Sequence, residues 1–89
     1  MNSHTTQRFR DALSKLPLEI QEKTEEAYHL WQQDPQHPSL QFKRIHTVKP
    51  IYSVRVALGW RAVGVRRGNE MVWYWVGSHA DYDQLISRL

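Results

Sequence analysis

A chain of 89 residues with ten aromatics and no cysteine is read as one domain, residues 1–89, that buries only about 60 to 65% of its unfolded surface. It excludes a disulfide framework and thiolate zinc sites, and no apolar run approaches the roughly 20 residues of a membrane span. The formal charge of +3 is uneven: residues 43–67 hold seven Lys/Arg and no Asp or Glu, while the segments on either side each carry a net −2. A concentrated positive block on otherwise acidic chain points to a polyanion or an acidic partner. The first ten residues, MNSHTTQRFR, lack the apolar core of a signal peptide, so the reading is a soluble, cytoplasmic protein with no membrane partner.

Thr5 or Thr6 is placed to cap a first helix running to about Leu16, with Phe9, Ala12, Leu13 and Leu16 at helical spacing. Pro17 suits the first turn of a second helix, whose stripe is Ile20, Ala27, Tyr28 and Trp31 and which Pro35 stops. From Ser39 the period changes to two. Residues 40–46, 51–58, 60–65 and 71–77 read as strands, separated by turns at Lys49 and Pro50, at Gly59, and at Gly68 and Asn69. Trp73, Tyr74 and Trp75 are consecutive, so the last strand is expected to send large side chains to both faces. Ser78 with Asp81 resembles a capping box before a final helix with Tyr82, Leu85, Ile86 and Leu89 on one face. The expected fold class is α+β: an N-terminal helical hairpin packed on a twisted four-stranded antiparallel sheet, with a short C-terminal helix and the helices on one face.

Two guanidiniums, Arg55 and Arg61, fall on neighbouring strands across the turn at Gly59. Paired on an open face they would grip a phosphate through planar, permanently charged donors, although arginines on a solvent face often do no more than solvate it. His79 sits at the start of the last helix, where anions collect and where a histidine acting as a base is well placed. Tyr82 lies one turn on, with its hydroxyl available or its ring in the core; Asp81 has a capping role as its plain alternative. His46 ends the first basic strand beside Lys43 and Arg44. With Lys49, Arg66 and Arg67 these two cations are candidate contacts for RNA, DNA or an acidic partner. No histidines show metal-ligand spacing, and there is neither a Gly-rich phosphate loop nor a GxSxG elbow, so no metal or cofactor is assigned. Any catalysis would be acid/base chemistry of the side chains themselves.

The segments L-P-x-x-I-Q, D-P-x-H-P-S-L-x-F-K, Y-S-V-R-V, G-W-R-A and W-x-W-V-G-x-H-x-x-Y-D together resemble the RelE/ParE superfamily of toxins from bacterial type II toxin–antitoxin systems. That resemblance spans nearly the whole chain. It implies a basic concave face used against RNA in the nuclease branch, with Arg55, Arg61, His79 and Tyr82 in positions where that branch keeps catalytic residues, and His46 in a loop where some members supply a base. Superfamily members usually open on a β-strand. Here about five residues precede the first helix, so that strand is expected to be vestigial or missing. The implied function is an mRNA endoribonuclease, acting by metal-independent transesterification on messenger, on the ribosome in some relatives, and neutralised by a cognate antitoxin. The alternatives are a non-catalytic inhibitor of DNA gyrase, as in the ParE branch, and a non-toxic nucleic-acid or protein binding module.

Overall fold

A computed structural model describes the whole chain, Met1–Leu89. Its elements are β1 (Asn2–Thr5), α1 (Gln7–Ser14), α2 (Leu18–Gln33), a 3-10 turn at Pro38–Leu40, β2 (Lys43–Arg44), β3 (Ile51–Ala57), β4 (Trp60–Arg67), β5 (Glu70–Ser78) and α3 (His79–Ile86). The strands form one sheet in the order β1-β5-β4-β3-β2. The fold is α+β with two N-terminal helices and a short C-terminal one, as the sequence predicts. No helix is long and apolar enough to cross a membrane.

Local chemistry explains the helix boundaries. The Thr6 hydroxyl accepts from the Phe9 amide at 3.1 Å to start α1. Gln21, one turn into α2, donates to the carbonyls of Leu16 at 2.9 Å and Ser14 at 3.3 Å, satisfying acceptors that α1 leaves open at its end. Pro17, with no amide to lose, precedes α2. The Ser78 hydroxyl accepts from the Asp81 amide at 3.2 Å and starts α3.

The sheet differs from the four antiparallel strands expected. A fifth strand, β1, is present and runs parallel to β5, with Asn2 opposite Glu70 and Thr5 opposite Trp73. Its residues are all polar, so no apolar alternation marks it, although Ser3 and Thr5 are less exposed than Asn2 and His4; it meets the backbone need of β5's outer edge through bonds such as Thr6 N–H to the Trp73 carbonyl at 3.0 Å. The strand expected over residues 40–46 is only Lys43–Arg44. Leu40 belongs to the 3-10 turn and Gln41 takes a left-handed backbone, φ +46°, which cannot continue a strand.

Helices also cover both faces of the sheet, not one. On the first face α1 lies over β5 and α2 over β3, burying Phe9, Trp31, Leu40, Val54, Val56, Ala62, Met71, Trp73 and Val76. Trp31 meets Trp73 edge-on at 5.4 Å between ring centroids and Phe42 edge-on at 5.7 Å, the arrangement that aromatic quadrupoles favour. Both indole N–H groups, of Trp31 and Trp73, are buried without a hydrogen-bond partner, a cost of about 1 to 3 kcal/mol each that this packing has to offset. On the second face α3 closes a smaller core of Ile51, Val63 and Tyr82, flanked by Trp75, Leu85 and Ile86.

A bulge in β5 makes two faces possible. Val63 pairs with Trp75 and the next residue, Gly64, with Trp73, so Tyr74 is an extra residue. Trp73 and Trp75 therefore fall on opposite faces despite their even spacing. At Gly64 a Cβ would lie 2.7 Å from the Val72 carbonyl oxygen, 2.8 Å from the Trp73 ring and 2.9 Å from Met71. Gly64→Ala is expected to destabilise the fold by about 1 to 3 kcal/mol through overpacking, read as a lower urea midpoint; an unchanged midpoint would show that the Trp73 ring is free to move aside. Burial holds the half-buried Tyr74 phenol above its ordinary 10.0. The unfolded chain then loses this proton first, so stability is full below pH 10 and falls as pH rises beyond it. Tyr74→Phe should flatten that alkaline loss in pH-dependent unfolding curves.

Candidate functional site

Strand register decides which basic side chains share a face. Arg55 lies directly opposite Arg61, and Arg61 directly opposite Gly77, forming a row across β3, β4 and β5. Opposed residues point to the same side of a sheet, here the side of Ser53, Val63 and α3. Both guanidiniums are partly exposed and each is steadied by the segment after α2. Arg55 Nε donates to the Ser39 carbonyl at 3.1 Å; Arg61 Nη1 donates to the Trp60 carbonyl at 3.3 Å and Nη2 to Gln41 Oε1 at 3.4 Å. Neither arginine makes an ion pair, and the only ion pairs in the chain involve His4 and His79. Two like charges side by side without a carboxylate favour an anion between them.

His79 joins this row from the start of α3, where its amide donates to the Gly59 carbonyl at 2.8 Å and ties the helix to the β3–β4 hairpin. The imidazole is half-exposed. Its Nδ1 lies 3.3 Å from Asp83 Oδ2 and its ring is edge-on to Tyr82 at 5.6 Å. A carboxylate on Nδ1 sets the orientation of the ring and leaves Nε2 without a partner in the protein. At Gly77 a Cβ would meet the Trp75 ring at 2.8 Å, so the indole lies on bare backbone beside Arg61.

Tyr82 is placed differently from its neighbours. It is 6% exposed, in the second core, and its hydroxyl donates to Ser53 Oγ at 3.2 Å. Its ring supports His79 while its hydroxyl is engaged inside the protein.

The remaining candidates gather at the other end of the sheet. His46 is level with Pro50, at the start of β3, whereas His79 bonds to Gly59 beyond its end; seven residues of strand separate them by roughly 20 Å. His46 Nδ1 accepts from the amides of Val48 at 3.1 Å and Lys49 at 2.8 Å, and Arg44 donates to the carbonyls of His46 and Val48. Both residues thus build the loop before β3. Arg66 Nε donates to the Gly68 carbonyl at 3.2 Å. Lys43 and Arg67, opposite Ser53 and Glu70, are exposed on the α3 side, while Arg44 and Arg66, opposite Tyr52 and Met71, point to the other side. Lys49 is exposed in the loop. The block of seven cations is therefore two patches, with Arg55 and Arg61 at the Gly59 end, next to His79, and the other five beside Pro50.

Three participants escaped sequence reading. Asp83 stands one helical turn after His79, a spacing that could have revealed it. Gln41 reaches Arg61 from a left-handed backbone that its residue type does not advertise, and Ser39 reaches Arg55 from the 3-10 turn before it. No three His, Asp or Glu side chains converge as a metal site would require.

Removal of the Tyr82 hydroxyl leaves Ser53, 1% exposed, without its partner. Tyr82→Phe is expected to cost about 1 to 3 kcal/mol and Tyr82→Ala about 3 to 5 kcal/mol in urea unfolding. An unchanged stability for Tyr82→Phe would mean that the hydroxyl is not committed to Ser53.

Comparison with known proteins agrees with this architecture. The family model for the ParE-like toxin domain matches residues 18–84. A chain of the RelB-RelE antitoxin-toxin complex from Methanococcus jannaschii superposes with a TM-score of 0.72 at 15% identity, covering 91% of this chain and 95% of that one. A copper-bound mutant toxin from Helicobacter pylori gives 0.61 at 16% identity, over 91% and 97% of the two chains. A conserved hypothetical protein of Helicobacter pylori gives 0.54 at 16%, over 92% and 98%. No curated protein matches by sequence. With a family match over three quarters of its length and this fold, the chain belongs to the ParE-like toxin domain family and is a toxin of the RelE/ParE type.

Proposed function

We propose that this toxin is an endoribonuclease acting on messenger RNA and held inactive by a cognate antitoxin. The observation that carries the reading is the row of Arg55, Arg61 and Gly77 with His79 two residues beyond, its Nδ1 held by Asp83. A scissile phosphate bridging the two guanidiniums receives planar donors that remain charged through the reaction. His79 Nε2 takes the proton of the adjacent 2′-hydroxyl, and that oxygen attacks phosphorus. The 5′-oxygen leaves with a proton from solvent, giving a 2′,3′-cyclic phosphate and a 5′-hydroxyl. Arg55 and Arg61 stabilise the charge that builds on the phosphorane oxygens, and only RNA carries the attacking group. Tyr82 serves by supporting the imidazole ring. His46, roughly 20 Å away along β3, has no part in this step.

The match to the ParE-like model favours one other reading, in which the same basic face docks on DNA gyrase and no bond is cleaved. An antitoxin partner is supported by the antitoxin seen with the Methanococcus jannaschii neighbour; an acidic and apolar segment suits a face with two unpaired arginines.

His79 is exposed and lies outside both cores, so His79→Ala should fold normally while lowering cleavage by about 10²- to 10⁴-fold. Both proteins are induced in bacteria and 5′ ends mapped on an abundant messenger within minutes. New ends that depend on His79 uphold the ribonuclease reading. Growth arrest with intact messenger and broken chromosomes would overturn it in favour of gyrase.

A further inference from the structure

The largest concavity in the structure, about 720 Å³, lies between α1 and α3 at the end of β5, within the roughly 300–1,000 Å³ typical of ligand clefts. Arg8 in α1 and Lys15 just past its end stand on one wall, seven residues apart, and Arg88 on the other; Trp60 and Trp75 are partly exposed within it. Asp81 is its one acidic side chain. All three cations are exposed, and none makes an ion pair or a side-chain hydrogen bond. Lining by Arg, Lys and Trp is the chemistry of single-stranded nucleic acid sites, where cations follow the backbone and indoles stack on bases.

Position strengthens the assignment. Pairing of β1 with β5 ends at Thr5 opposite Trp73, so the outer edge of β5 from Trp75 to Ser78 has no strand beside it, and these four residues line the groove. Gly77 and Ser78 line the floor. Gly77 is also the partner of Arg61, and Ser78 precedes His79. The groove therefore opens from the end of the Arg55–Arg61–His79 row.

We propose that the α1–α3 groove is an extended subsite for single-stranded RNA, in which Arg8, Lys15 and Arg88 hold phosphates beyond the cleaved bond and Trp60 and Trp75 stack on bases. This rests on the ribonuclease reading and adds to it a second, sequence-tolerant contact that sets the length of RNA the toxin grips. A protein segment in the groove would need no continuity with the arginine row, and the partly exposed indoles and three unpaired cations suit bases and phosphates jointly.

The test uses the full chain carrying His79→Ala, which blocks cleavage, and labelled RNAs of three and nine nucleotides titrated at several salt concentrations. The triple variant Arg8→Gln, Lys15→Gln and Arg88→Gln is compared with its parent, and Lys15→Gln alone provides a surface change with little risk to folding. The longer RNA should bind at least tenfold more weakly to the triple variant, with the trinucleotide within twofold. The log–log salt slope for the longer RNA should be shallower by about 2 in the triple variant and by about 0.7 in the single one, as three and one released phosphate contacts require for single strands. Equal loss at both lengths, or no loss at either, overturns the subsite while leaving the ribonuclease reading in place. Unchanged RNA binding with weakened antitoxin capture overturns it in favour of a protein surface. Failure of the parent to bind either RNA removes the ribonuclease reading and the subsite with it.

Discussion

Everything in this small domain depends on one irregularity, the extra residue at Tyr74 in β5. Regular alternation would put Trp73 and Trp75 on the same face, crowding two indoles into one core and leaving the other face thin. The bulge separates them. Trp73 then packs with Trp31 and Phe42 beneath α1 and α2, while Trp75 meets Tyr82 under α3. Each indole needs a neighbour without a side chain, and Gly64 and Gly77 provide it on the two faces. An 89-residue chain can therefore fill two cores, where its surface-to-volume ratio would otherwise make even one marginal.

This arrangement also places the chemistry. Because α3 is held on the second face by Tyr82, Leu85 and Ile86, its first residue, His79, is brought to the β3–β4 hairpin, where the register has set Arg55 against Arg61. The Tyr82 side chain fixes the helix through Ser53 and supports the imidazole above it. Packing and site geometry share the same residues, so the candidate site stands on rigid strands and a capped helix and not on loops, which favours precise positioning of a reacting phosphate.

Much of the fold was legible from residue pattern. The stripe ending in Trp31, the cap at Thr6, the hairpin turn at Gly59 and the Ser78 cap carry local signals that agree with the tertiary packing. The two departures at the sheet edges have separate causes. β1 is polar and is held by backbone pairing with β5 and by the Ser3–Tyr28 hydroxyl contact at 2.7 Å, while residues 40–46 are not one strand because Gln41 adopts a left-handed backbone that its residue type does not signal. Covering of both faces was hidden for a related reason: the bulge reverses the side-chain alternation in the middle of a strand whose composition looks continuous.

The sequence by itself determined the charge block, the aromatic supply, the helix and hairpin boundaries and the superfamily resemblance, since each rests on residue identity and short spacing. Only the tertiary structure decided which cations share a site. Arg55 and Arg61 meet through inter-strand register, His46 and His79 are parted by the length of β3, and Asp83 acquires a role because a helical turn brings it to His79. Register and bulge position are properties of pairing between strands, and a one-residue change in either moves a side chain to the opposite face; no reading of a single strand contains them.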